Sequence, residues 1–114
     1  MQYLLMLYVE EAGWGRLTPG EQEAAMGAYG AYNQALADSG AMLASGRLQP
    51  VASAHTVRVK DGRRQVLDGP FAETKEVVGG YYLIEAADEA AALDWAARCP
   101  AAGHGAVEVR PVWG

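Results

Sequence analysis

Seven consecutive apolar residues, Tyr3 to Val9, constrain this chain more than anything that follows them. The run is too short for a core helix and holds neither glycine nor proline. It therefore predicts a strand over residues 2–9 that is buried on both faces. Such a strand needs a layer of side chains above it and another below, and the rest of the sequence has to supply both.

One layer comes from two helices. At Thr18-Pro19-Gly20-Glu21 the threonine is placed to cap, the proline suits the first helical position, and Glu21 stands three residues on, as a capping box requires. Ala25, Tyr29, Tyr32 and Leu36 then recur at helical spacing, with Met26 beside them, and Gly40 supplies the stop. Gly27 and Gly30 inside this helix cost about 1 kcal/mol each relative to alanine, and would permit close approach of another element. A second helix starts at Asp88 and ends before Pro100, with Ala92, Trp95, Ala96 and Cys99 along one side. Asp88 and Glu89 open it and Arg98 closes it, as the macrodipole favours.

The remaining segments read as strands. Residues 42–50 (MLASGRLQP) form an irregular one that ends at Pro50, after a glycine-containing loop over EEAGWGRL and the first helix. HTVRV (55–59) alternates, so His55, Val57 and Val59 face one way and Thr56 and Arg58 the other. Asp61-Gly62 is a hairpin turn, RQVLD returns from it, GGYYLIEA (79–86) is the next strand, and AVEVRPVW closes the chain. The order is a split βαβ, ferredoxin-like α+β pattern, βαββαβ, with an extra hairpin. Both helices pack on one face of the sheet. The opposite face, to which strands 55–59, 81–85 and 107–112 contribute, is expected to be covered by a second copy, giving a homodimer in which two sheets face each other.

At 114 residues the chain is one domain, 1–114, and half its residues are hydrophobic. A net charge of −5 argues against a nucleic-acid partner. Arg58, Lys60, Arg63 and Arg64 flank the hairpin turn and need only solvate it. The one cysteine, Cys99, excludes an internal disulfide and reads as a buried structural thiol in a reducing compartment. No run is long enough to span a bilayer, and no basic segment precedes the first strand, so a soluble, cytoplasmic protein is expected. Nucleotide-binding and standard hydrolase motifs are missing. His55 and His104 lack metal-ligand spacing, so neither metal nor cofactor is expected.

Candidate chemistry is spread thinly. Glu108 and Arg110 lie two apart in the last strand and share a face; open to water they are a solvated pair, but beneath a second copy they line a cleft and need a partner or a ligand. His104, between Gly103 and Gly105, is either a loop histidine at the surface or an imidazole offered to a pocket mouth. His55 reads as a strand-edge side chain. Asp68-Gly69-Pro70 is a turn, Phe71 is placed to anchor it into the core, and Glu73, Lys75 and Glu76 form a charged segment before Gly79-Gly80.

The nine-residue run DGPFAETKE, followed by GGYYLIE and a C-terminal VEVRPV, resembles the YCII-related DGPF family of small bacterial proteins, and the likeness spans nearly the whole chain. The resemblance implies a dimeric α+β barrel of ferredoxin-like subunits. The wider family includes a lactone dehalogenase and proteins with a proposed His–Asp pair, placed in a region that has no histidine here (residues 10–40). Members of the DGPF branch are often encoded beside, or fused to, sigma factors. Two functions follow. One is a dimer with two equivalent clefts that binds, and as an enzyme acts on, a small metabolite, anionic or lactone-like, with Asp68 or Glu108 as base, His104 as acid/base partner, Lys75 or Arg110 holding negative charge, and Glu73, Phe71 and Tyr82 completing the ligand contacts. The other is a non-catalytic module that presents DGPFAETKE to a protein partner in transcription regulation.

Overall fold

A computed structural model describes residues 1–114. Along the chain run β1 (Gln2–Val9), α1 (Glu11–Gly15), α2 (Pro19–Ser39), β2 (Met42–Arg47), a single 3-10 turn (Val51–Ser53), β3 (His55–Lys60), β4 (Arg63–Asp68), β5 (Val77–Glu85), α3 (Glu89–Arg98), α4 (Ala101–His104) and β6 (Ala106–Pro111). The local signals act where they are written. Thr18 Oγ1 accepts from the Glu21 amide while the Glu21 carboxylate accepts from the Thr18 amide, so the capping box is complete. Gly40 ends α2 in the left-handed conformation, at φ 76°. The Asp88 side chain accepts from the Ala91 amide to start α3.

Four strands form one sheet in the order β2-β5-β1-β6, every neighbouring pair antiparallel. With the hairpin set aside, the sequence of elements β1-α2-β2-β5-α3-β6 and this strand order match a ferredoxin-like α+β fold. β1 is central, as its unbroken apolar run requires. The sheet is open; no barrel closes within one chain.

The hairpin β3–β4 departs from expectation. It forms a separate two-stranded sheet and contributes nothing to the main one. Pro50 and the 3-10 turn after β2 redirect the chain away from the sheet edge before β3 begins. The alternation in HTVRV therefore reports the two faces of a projecting arm rather than a core strand. Two further elements, α1 in the expected loop and α4 around His104, are single turns too short to leave a periodic signal.

The core lies between one sheet face and the helices. Tyr3, Leu5 and Leu7 of β1, Tyr82 and Ile84 of β5, Tyr32 and Leu36 of α2, and Ala92, Ala96 and Cys99 around α3 are all buried. Full burial of Leu5, Leu36 and Ile84 contributes about 1.5–3 kcal/mol each. Tyr32 is the centre: its ring meets those of Tyr82 and Trp95 edge to face, at 5.2 and 6.1 Å, and its hydroxyl donates to the Trp95 carbonyl at 2.7 Å. Met26 lies outside the stripe and is exposed, and a side chain at Gly27 or Gly30 would meet nothing within 4 Å, so no element approaches α2 there.

The chain is broader than a sphere of its size. Its Cα radius of gyration is 16.1 Å, where about 13 Å is usual for this length, and it measures 47 × 42 × 18 Å. The thin dimension is that of one sheet and one helical layer.

Candidate functional site

Cross-strand partners share a sheet face, so the register assigns each side chain to a side. Against the helices lie Ser45, Tyr82, Leu5 and Val109 in one row. The opposite, helix-free face carries two rows that each cross all four strands: Ala44-Leu83-Leu4-Arg110 and Gly46-Tyr81-Met6-Glu108. Leu4, Met6, Tyr81 and Leu83 are half-buried by their neighbours alone. Tyr81 lies over Gly46 so closely that a Cβ there would fall 2.7 Å from the ring. Glycine in β2 is what lets this ring lie flat on the sheet.

Glu108 and Arg110 stand on this face as expected. Arg110 Nε donates to Glu108 Oε2 at 2.6 Å, next to the apolar side chains of β1. One guanidinium edge is thus engaged, and the two terminal amino groups remain available to an anion. The neighbourhood is apolar and aromatic around one exposed Glu108–Arg110 ion pair, whose free guanidinium edge is the part able to meet a negatively charged group.

The DGPF segment is elsewhere, at the root of the arm. Thr56 Oγ1 donates to the Gly69 carbonyl at 2.9 Å, and the Gly69 amide donates to the Ala54 carbonyl at 2.7 Å. Gly69 takes φ 105°, which a side chain would oppose. Phe71 does not anchor the loop in the core; it is 75% exposed and lies under the Arg58 guanidinium, 4.9 Å away. The turn folds back on β3, which itself stands outside the core, so the phenylalanine has no interior to reach. Glu73 and Lys75 are exposed as well. Lys75 lies near Glu10, whose carboxyl is held below the usual range chiefly by its hydrogen bond to Arg16, with Arg16 and Lys75 charges assisting.

On the other face of the arm Asp68 meets a partner that sequence reading missed. His55 Nδ1 lies 3.0 Å from Asp68 Oδ1, which leaves Nε2 directed outward. The signal was available: the Asp61-Gly62 dipeptide marks a two-residue turn, which the positive φ of both residues bears out, and counting outward from it pairs His55 with Asp68. His104, the histidine singled out instead, ends α4 on the helical side and contacts Tyr29, with Nε2 3.4 Å from the hydroxyl. It joins neither Asp68 nor Glu108. Tyr82 is a core residue: its hydroxyl donates to Asn33 Oδ1, and burial pushes the phenol up to about 12. Cys99 is buried, and burial raises its thiol.

The candidate residues are therefore dispersed: Glu108 and Arg110 lie on the helix-free face, Asp68 and Phe71 at the arm's root, Glu73 and Lys75 on the exposed segment after it, and His104 and Tyr82 on the helical side. Two surface hollows, one of about 490 Å³ at the arm's tip beside Lys60, Asp61, Arg63 and Gln65 and one of about 410 Å³ beside Met1 and Trp95, lie on none of the first pair. The first hollow has no apolar lining and follows the shape of a hairpin end.

A family model described as the YCII-related domain matches residues 1–114. The chain belongs to the YCII-related family. A relative from Rhizobium meliloti (strain 1021), an uncharacterized protein, is 36% identical over 114 residues, covering 98% of this chain and 92% of its own length. No helix of this YCII-related protein is long and apolar enough to cross a membrane.

Proposed function

We propose that this YCII-related protein works as a homodimer whose helix-free sheet faces meet around a cleft that binds a small anionic metabolite. The observation that carries the reading is the pair of rows on that face, where Leu4, Met6, Tyr81 and Leu83 surround an Arg110 already oriented by Glu108. Apolar side chains in the middle strands of a four-stranded sheet favour a second layer, and the chain itself provides none. A second copy would form the far wall of the cleft, lower its dielectric, and strengthen the hold of Arg110 on a carboxylate or phosphate. The buried free thiol of Cys99 fits a reducing, cytoplasmic setting.

The reading is tested by calorimetric titration with a panel of small carboxylates and phosphates, comparing wild type with Arg110→Ala and Glu108→Gln. Binding by wild type, lost in Arg110→Ala while the dimer persists, is the expected result. Equal binding by Arg110→Ala would remove the cleft from consideration.

A second reading, a protein-binding module, is favoured by one observation: Leu67, Phe71, Glu73, Lys75 and Glu76, in and just after the arm's root, are all exposed. Its partner would be a protein of transcription regulation. Phe71→Ala would then abolish partner binding and leave small-anion binding unchanged.

A further inference from the structure

The β3–β4 arm has two open edges, since β3 pairs only with β4 and the two form a sheet of their own. Lys60 and Arg63 close the two-residue turn, so the bonded pairs fall at Lys60–Arg63, Arg58–Gln65 and Thr56–Leu67. The amides and carbonyls of Val57 and Val59 therefore point away from β4, along an edge that no other strand of the chain occupies. Such an edge is a template for another extended segment.

The side chains beside the edge say what that segment carries. The register gathers Arg58, Lys60 and Arg63 onto one face of the hairpin, with Thr56, Gln65 and Leu67. All three cations are exposed, and none has a carboxylate within 4.0 Å. Lys60 and Arg63 stand directly opposite each other, a like-charge pair that weakens the hairpin unless an anion joins it. Arg58 lies over the Phe71 ring at 4.9 Å, which steadies the guanidinium and leaves its N–H edge free to donate. Alternate residues of a strand recur every ~6.6–6.8 Å. Carboxylates at every second position of an added strand would thus fall beside Arg58 and then Lys60.

Charge and size favour a short acidic peptide over a nucleic acid. Residues 55–68 carry Arg58, Lys60, Arg63 and Arg64 against Asp61 and Asp68, a net +2, so the remaining residues carry −7 of the total −5. β3 has six residues, a length of about 20 Å. A nucleic acid reaching beyond that length would set its phosphates against the acidic remainder. A strand as long as β3 meets the arm alone.

We propose that the outer edge of β3 takes up an extended acidic segment of a partner protein as a third strand, its alternate carboxylates paired with Arg58 and Lys60 and the last within reach of Arg63. The surface is an edge of the arm, separate from the helix-free face. It needs no second copy, and Phe71 serves it only by holding Arg58.

The test titrates the 15N-labelled full-length protein with a capped eight-residue peptide of alternating glutamate and valine. A peptide with lysine for glutamate and a short DNA duplex run beside it. The glutamate peptide should shift the Val57 and Val59 amides and slow their exchange with solvent, while the lysine peptide moves neither. Its dissociation constant should rise with salt, and at least tenfold in Arg58→Gln/Lys60→Gln. An unchanged affinity in that variant, equal binding of the two peptides, or no binding at millimolar peptide would overturn the proposal. So would unprotected Val57 and Val59 amides in the complex, or a DNA duplex that binds more tightly than the peptide and displaces it.

Discussion

Replacing Tyr82 by phenylalanine should lower stability at neutral pH and raise it in strong alkali. At neutral pH the variant loses the hydrogen bond to Asn33, at a cost of about 1 kcal/mol. In wild type, burial pushes the Tyr82 phenol up to about 12, against about 10 in an unfolded chain. The folded value is the higher one, so the unfolded chain releases its proton first. Stability from this group is complete below pH 10 and is lost above it, at about 1.4 kcal/mol per pH unit, until the folded protein titrates near 12. The loss reaches about 1.4 kcal/mol at pH 11 and roughly 2–3 kcal/mol at pH 12. Tyr32, with its phenol also raised by burial, is common to both proteins and cancels. Urea unfolding followed by circular dichroism at pH 8 and pH 11 reads the difference. The variant should trail wild type by about 1 kcal/mol at pH 8 and match or exceed it at pH 11. A gap that stays constant with pH would refute the argument and return Tyr82 to the list of solvent-facing ligand contacts.

Three further outcomes are expected. Gly27→Ala with Gly30→Ala should stabilise the protein by up to about 2 kcal/mol in urea melts, since each added methyl meets open space. Gly105→Ala should cost about 2–3 kcal/mol by the same assay, because its Cβ would collide with the Tyr8 carbonyl oxygen, a backbone atom that cannot swing aside. Asp68→Asn should change monomer stability by less than about 1 kcal/mol, since Asp68 and His55 are 94 and 62% exposed; a measured loss several times larger would show that the pair holds the arm's root together.

The sequence was legible wherever one local signal settled one local question. The Thr18 capping box, Gly40, and Asp88 delimited both helices, and the apolar run from Tyr3 marked the central strand. The Asp61-Gly62 turn located the hairpin. Alternation in HTVRV showed which side chains share a face but not which sheet they join, because that depends on where the chain is aimed after Pro50. Phe71 failed as a core anchor for the same reason: hydrophobicity states a preference for burial, while the turn at Gly69 returns it to an arm without an interior. At the candidate site, Glu108 and Arg110 were readable from their spacing within one strand. Pairings across the chain, His55 with Asp68 and His104 with Tyr29, needed register and helix placement that types of residue do not carry. The family was readable from DGPFAETKE, and the family comparison agrees over the whole length.

The central claim is that the helix-free face, with Leu4, Met6, Tyr81 and Leu83 around Arg110, is covered by a second copy. Sedimentation velocity of wild type beside Leu83→Glu tests it most directly, with circular dichroism to confirm that the variant keeps its fold. Leu83 points away from the helical core, so the substitution leaves the monomer's interior intact. Wild type should sediment at twice the chain mass at micromolar concentration, and Leu83→Glu at the single chain mass. A wild-type monomer, or a Leu83→Glu dimer as tight as wild type, would contradict it.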